Sequence, residues 1–257
     1  MGKGYIGYRA KVRNFLGIFI GLLFTDKGMR KAFRGIRWLF RGAGVACFLA
    51  VMMVALFRVY PPPATPLMYL RVYEGLLEGK PVGAHRVWIP YEQMSPNVFR
   101  AVIAAEDGRF MRHNGIDWRA MEDAMRYNRL HKGRKVRGAS TITMQTAKNT
   151  FLWHGRTYVR KGLEAWFTYM IEALWGKKRI LEVYANVIET GDGIYGVEAA
   201  ARRYFGKSSA DLTRREAAAI AAVLPNPRRW SPAEPTRYIQ RRIQWVMGRM
   251  GATIPKE

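Results

Sequence analysis

Residues 42–57 read GAGVACFLAVMMVALF, sixteen positions without a charged side chain, bracketed by Arg41 and Arg58. As a helix this run covers about 24 Å at ~1.5 Å per residue, short of a hydrocarbon core of about 30 Å. Trp38, Leu39 and Phe40 lengthen it on one side, Val59 and Tyr60 on the other. The two arginines can snorkel to headgroups, so residues 38–60 are read as a transmembrane anchor. Trp38 and Tyr60 fall where interfacial aromatics belong. A buried core helix would also satisfy so short a run. A cleaved signal peptide fits less well, because the run begins deep in the chain and lacks an A-x-A-type site.

Charge sets the expected orientation. The chain has 257 residues, 43 Lys+Arg, 19 Asp+Glu and a net charge of +24. Residues 1–41 hold ten basic residues and one acid, Asp26, a net +9; residues 42–257 keep +15. The positive-inside rule puts residues 1–37 in the cytoplasm as a basic segment and the chain after Tyr60 outside. Residues 15–24 form a second apolar run, too short to span, that either lies in the interface plane or is unstructured. So basic a chain needs a polyanionic partner: nucleic acid, an anionic membrane or a phosphorylated substrate. The single Cys47 excludes a disulfide framework within the chain, and no Cys/His spacing suggests zinc.

Residues 61–257 are expected to form one α-rich domain outside the membrane. Pro61-Pro62-Pro63 ends the anchor helix. Residues 66–93 mix β-formers with Gly and Pro and are read as short strands or extended segments. Ser95-Pro96 starts a helix that carries an apolar face to Glu106. Asp117 caps a second helix bearing Trp118, Met121, Met125 and Leu130, and the basic stretch 129–138 is read as a loop. Further helices are expected at about 140–149, 157–175, 177–188, 194–204, 213–224 and 235–250. Thr213 and Glu216 make a capping box, and Gly206 stands where a C-cap would.

Several segments place polar groups where chemistry would need them. In AVIAAEDGRFMRHNG (101–115), Glu106 follows an apolar helix. If the helix continued, Glu106, Phe110 and His113 would share a face. A carboxylate beside buried aromatic surface has a raised pKa and suits general acid–base work; a charged helix end above a core Phe explains the pattern as well. In GASTITMQTAKN (138–149), Thr141, Gln145 and Lys148 would line one face and Ser140 could cap. That makes an anion or sugar site at a helix N-terminus, or simply a solvated helix with a serine cap. Arg160 and Glu164, at i and i+4, are either a surface pair or part of a cationic site for a diphosphate with Arg156 and Lys161. Residues 177–186 read as an amphipathic helix with Ile180, Leu181, Tyr184 and Val187 inward.

Taken together, these segments resemble the peptidoglycan glycosyltransferases, which polymerise lipid II. The matching patterns are E-D-x-x-F-x-x-H-x-G at Glu106–Gly115, G-x-S-T-x-T-x-Q-x-x-K-N at Gly138–Asn149, R-K-x-x-E at Arg160–Glu164 and K-x-x-I-L-E-x-Y-x-N at Lys177–Asn186. A looser fifth lies near Arg241-Arg242 and Val246-Met247, with Met247 where the family usually has Leu. PPPATPLMYLR after the anchor is similar to monofunctional members of Gram-negative bacteria. No Ser-x-x-Lys occurs, so no transpeptidase activity is expected.

The resemblance implies a mainly α, lysozyme-like, two-lobed helical domain behind one N-terminal transmembrane helix. It implies an inverting reaction: a glycan chain on undecaprenyl pyrophosphate is the donor, lipid II the acceptor, and the new bond is β-1,4. Glu106 is then the candidate base and Glu164 the second catalytic carboxylate, which would orient the cations, hold a metal or assist departure. Lys148, Arg156, Arg160 and Lys161 would meet the diphosphate. Asp107, Phe110, His113, Ser140, Thr143, Gln145 and Asn149 would line or support the groove. A divalent cation, Mg or Mn, is implied, with no ligand set assigned and no organic cofactor. The implied partners are lipid II and the growing chain, an anionic membrane, and other cell-wall synthesis or division proteins. The implied location is a bacterial inner membrane, with the catalytic domain periplasmic.

The sequence also admits two rival readings. A lysozyme-like peptidoglycan-cleaving enzyme also uses two carboxylates. A membrane-anchored polyanion-binding protein would use the charge, but no nucleic-acid-binding motif is present and the outside location argues against that partner.

Overall fold

The computed structural model describes residues 26–80, 83–131, 137–153, 155 and 157–255. The second apolar run at 15–24, Arg156 and part of the 129–138 loop lie outside them. The chain divides into two compact units, with the boundary between Met53 and Val54.

Helix α1 spans Asp26–Phe57, so the expected anchor is the C-terminal part of a longer helix. From Met29 to Phe57 it is long and apolar enough to cross a membrane. Its large apolar side chains are exposed, Phe40 and Phe48 among them. The Arg41 guanidinium lies 5.3 Å from the centre of the Trp38 ring, a cation–aromatic pair suited to an interface. The helix stops at Phe57, before the proline run.

The last turn of α1 belongs to the second unit. Val54 is fully buried and its carbonyl accepts from Trp175 Nε1 at 2.8 Å. Arg179 donates to the carbonyls of Phe57 and Tyr60 at 2.9 and 2.8 Å, satisfying acceptors that a helix end leaves open.

Residues 66–77 correct the sequence reading. Pro66–Leu77 is a helix, α2, capped by Thr65, with Pro66 in the first turn. Leu67, Met68, Arg71 and Gly75 are its buried residues, a helical spacing that outweighs the β propensity of Tyr69, Val72 and Tyr73. Extended structure is confined to a few residues, including strand β1 (His85–Arg86).

From Ser95 the domain is helical as expected. Helices α3 (Pro96–Glu106), α4 (Trp118–Leu130), α5 (Ile142–Phe151), α6 (Tyr158–Leu174) and α7 (Lys177–Val187) follow in order. Strands β2 (Glu189–Gly191) and β3 (Ile194–Tyr195) then form a hairpin, and β1 adds parallel to β3, giving the order β1-β3-β2. This hairpin occupies the start of the expected 194–204 helix, so α8 begins later, at Val197–Phe205. Helices α9 (Arg214–Val223) and α10 (Arg237–Met247) complete the fold. Caps read from sequence hold: Ser95, Asp117, left-handed Gly206 at φ 65°, and the Thr213/Glu216 box.

Two groups of helices build the core. Helix α5 packs on α6 and α7, while α9 packs on α3 and α10. Residues 217–222 of α9 are buried and, apart from Ile220, are all alanine, so neighbouring helices approach it closely. Tyr184, Tyr195, Phe99 and Phe110 are the bulkiest side chains excluded from solvent. On α4 the outcome differs: only Ala124 is buried, and Trp118, Met125 and Leu130 are exposed.

Candidate active site

Glu106 ends α3. The helix does not continue: Asp107 is its C-cap at φ −156°, and Phe110 lies in a separate 3-10 turn, Phe110–Arg112. Glu106, Phe110 and His113 therefore do not share one helical face as the spacing suggested. The break turns Asp107 inward instead. Its carboxylate oxygens both lie 3.0 Å from His113 Nε2, and Oδ2 also accepts from the backbone N–H of Ile142 at 3.1 Å. Asp107 thus ties the end of α3 to the start of α5. Gly115 completes this corner at φ 87°. A Cβ there would stand 2.7 Å from Thr168 Cγ2 on α6.

The tie sets Gln145, on α5, against Glu106. Gln145 Nε2 donates to Glu106 Oε2 at 2.8 Å, and Tyr184 Oη donates to Gln145 Oε1 at 3.3 Å. That second bond fixes which way the amide faces. Arg242 Nη2 lies 3.9 Å from Glu106 Oε1 and is itself oriented by its Nε bond to the Ala222 carbonyl. Burial raises the pKa of Glu106; the Gln145 bond and the charges of Arg242 and Lys148 oppose that rise. Burial also holds the Tyr184 phenol well above its ordinary pKa, so it stays a donor.

Glu164, on α6, is the second buried carboxylate, 3% exposed. Arg160 Nη1 meets Oε2 at 2.6 Å and Lys161 Nζ meets Oε1 at 2.5 Å. The Arg160–Glu164 pair is therefore not a surface pair. Lys148, on α5, is affected by both carboxylates. Burial lowers its pKa, Glu164 and Glu106 raise it, and Arg160 and Lys161 lower it further.

The other expected site residues separate into groups. Phe110 is fully buried, with Lys177 Nζ 4.4 Å from its ring centre. Thr143 donates to Glu172 Oε1 at 2.6 Å, which also pairs with Lys177, so its hydroxyl supports the corner rather than facing Glu106. Asn149 is buried, and its Nδ2 has no partner among the described residues. Thr141, not Ser140, caps α5, accepting from the Met144 N–H at 3.1 Å. Ser140 is exposed. Arg156 lies outside the described residues.

Tyr184 and Arg242 were not singled out as functional residues from sequence. The signal for Tyr184 was available: a tyrosine at an inward helical position needs a partner for its hydroxyl. Arg242 could not be found this way, since only the fold brings α10 to the end of α3.

Asp107, His113 and Asp117 present ligand atoms within 4.8 Å of one another. Those atoms already have structural work. Asp117 caps α4 through Oδ1 and pairs with Arg109 through Oδ2, while Asp107 bonds Ile142.

The transglycosylase family model matches residues 76–251. A biosynthetic peptidoglycan transglycosylase of Rhodospirillum centenum is 54% identical over 217 residues, covering 83% of this chain and 91% of its own length. Its counterpart in Caulobacter vibrioides is 50% identical, covering 85% and 94%, and that in Bdellovibrio bacteriovorus 48%, covering 89% and 91%. The match takes in α3 through α10 and every side chain of the buried Glu106–Lys148–Glu164 arrangement, and the chain belongs to the transglycosylase family of enzymes.

Proposed function

We propose that this enzyme polymerises lipid II into β-1,4-linked glycan with inversion at the anomeric carbon and release of undecaprenyl pyrophosphate. The observation that carries the reading is geometric: Glu106 at the end of α3 is held by Gln145, and Glu164 on α6 is held between Arg160 and Lys161. In-line displacement needs a base on the attacking hydroxyl and positive charge at the leaving diphosphate. Glu106 serves as the base toward the acceptor's 4-hydroxyl. Gln145 and Arg242 hold it in place, and its raised pKa makes it a stronger proton acceptor than a surface glutamate. Lys148, Arg160 and Lys161 face the diphosphate, and Arg156 is proposed as a further cation for it on the sequence resemblance alone. Glu164 fixes the directions of Arg160 and Lys161.

A divalent cation is part of the proposal with no ligand set assigned: both Glu164 oxygens already pair with Arg160 and Lys161, and such an ion would add neutralising charge at the leaving diphosphate.

The N-terminal helix is proposed as a single-pass anchor with its basic end cytoplasmic and the catalytic domain periplasmic, the side on which lipid II is consumed. The exposed apolar side chains of α1 support the anchor. No Ser-x-x-Lys is present, so transpeptidation is not part of the proposal. Other cell-wall synthesis or division proteins are proposed partners on the same membrane.

The cationic cluster favours transfer over cleavage, because a hydrolase acting on finished glycan has no diphosphate to meet. Incubating the protein separately with lipid II and with finished peptidoglycan tests this. Polymer from lipid II and no soluble fragments from the sacculus are expected; the reverse would make the enzyme a hydrolase.

A further inference from the structure

A cavity of about 750 Å³ lies where β1, β3, α8 and the loop after α9 meet. None of its lining residues belongs to the Glu106–Glu164 arrangement. Five arginines line it, at positions 86, 202, 203, 228 and 229, against one acid, Asp192, among the described lining residues.

Most of these charges are engaged. Arg86 donates to the Pro62 and Pro63 carbonyls, Arg202 pairs with Glu198, and Arg228 lies 3.3 Å from Glu189. Asp192, the one acid, is held by Arg71 at 2.7 Å. Among the described residues, Arg203 and Arg229 have no ion pair, and both are exposed. The cavity is therefore left with two guanidinium groups and no free carboxylate.

Its walls suit an organic ligand. Tyr204 and Trp230 are half-buried, so aromatic surface stands beside the arginines. Tyr204 is held in place: a Cβ on Gly191 would come 2.1 Å from its hydroxyl, so only glycine lets the hairpin approach it. Burial raises the Tyr204 pKa, and the hydroxyl remains a donor. Guanidinium groups bind carboxylates through paired parallel hydrogen bonds, and the volume is that of a small-ligand pocket.

We propose that this cavity binds the free carboxylates of the peptides carried on the glycan product. This rests on the function proposed above: such a polymer brings one acidic peptide with each disaccharide. The hairpin that forms one wall starts at Glu189, five residues after Tyr184 in the chain. The cavity is open to solvent on one side, with Tyr204 and Trp230 beside the arginines, which leaves room for a carboxylate-bearing group to enter against aromatic surface.

The test uses the full chain in detergent and a fluorescent stem peptide in two forms, with free carboxylates and fully amidated. Wild type is expected to bind the acidic form at least fivefold more tightly. An Arg203→Ala/Arg229→Ala variant, changed only at exposed side chains, is expected to lose that preference while melting as wild type does. On lipid II the variant should give shorter product; on lipid II with amidated peptides, variant and wild type should match. Equal wild-type affinity for both peptides would overturn the proposal, as would a preference unchanged in the variant. Loss of binding to anionic vesicles in the variant without any peptide preference would assign the cavity to membrane headgroups and overturn it too. The titration needs no turnover. A wild type that binds the acidic peptide but makes no polymer would sink the proposed function and spare the cavity.

Discussion

Glu106 and Lys148 are both half-buried, and that burial moves their pKa values toward each other: the carboxyl up, the ammonium down. If Glu106 acts as a base and Lys148 as a cation, activity needs the first deprotonated and the second protonated. The rising limb of the pH–rate profile should lie above the ordinary glutamate range and the falling limb below the ordinary lysine range. Lys148→Arg should move the falling limb to higher pH, because a guanidinium does not titrate there; an unmoved limb would assign it to another group. The same burial has a stability cost. A group whose folded pKa is raised stabilises the fold at pH below its unfolded pKa and loses that contribution as pH rises through the folded value. Glu106→Gln should therefore melt higher than wild type at pH 7, with the difference shrinking in acid. Equal melting at both pH values would show that Glu106 is not held against its ionisation.

At the scale of elements, the site depends on three helices meeting at one amide. Helix α3 ends at Glu106, α5 supplies Gln145, and α7 supplies the Tyr184 hydroxyl that orients it. Tyr184→Phe should keep the fold and lower turnover of lipid II by about tenfold, the effect of losing roughly 1.4 kcal/mol of positioning. Wild-type turnover in a folded Phe variant would remove Tyr184 from the account. The Thr213/Glu216 box makes a separate, structural point. Thr213→Ala should cost about 1 kcal/mol, or roughly 2–4 °C in Tm, with turnover unchanged at 25 °C.

Caps and helix spacings were legible in sequence because they are local: Ser95, Asp117, Gly206 and Thr213 each stand where their residue type predicts. Residues 66–77 were misread because Tyr69, Val72 and Tyr73 favour strands, while the buried spacing of Leu67, Met68, Arg71 and Gly75 decides for helix. The Asp107–His113 corner was hidden for a different reason. The helix breaks after Glu106, and no periodicity reports a break made by a contact with Ile142, 35 residues away.

On the scale of the whole molecule, the charge of +24 has two destinations. A net +9 precedes residue 42 and favours a cytoplasmic N-terminus; the remaining +15 belongs to residues 42–257, where the cationic groups beside Glu164 and the arginine-lined cavity lie. The candidate site residues were legible as motif members. The structure distinguishes those grouped with Glu106 or Glu164, among them Gln145, Lys148, Arg160 and Lys161, from Asp107, His113 and Thr143, whose polar groups are used in holding the corner. Sequence spacing cannot make that division, because Thr143 and Gln145 are two residues apart on one helix and face different partners. The account stands on Glu106 as the base. The most direct measurement is polymer formed from purified lipid II by wild type and by a folded Glu106→Gln variant under identical conditions. Glycan polymer from wild type, with at least a hundredfold less from the variant, is the predicted result. Polymer from the variant at the wild-type rate would contradict it.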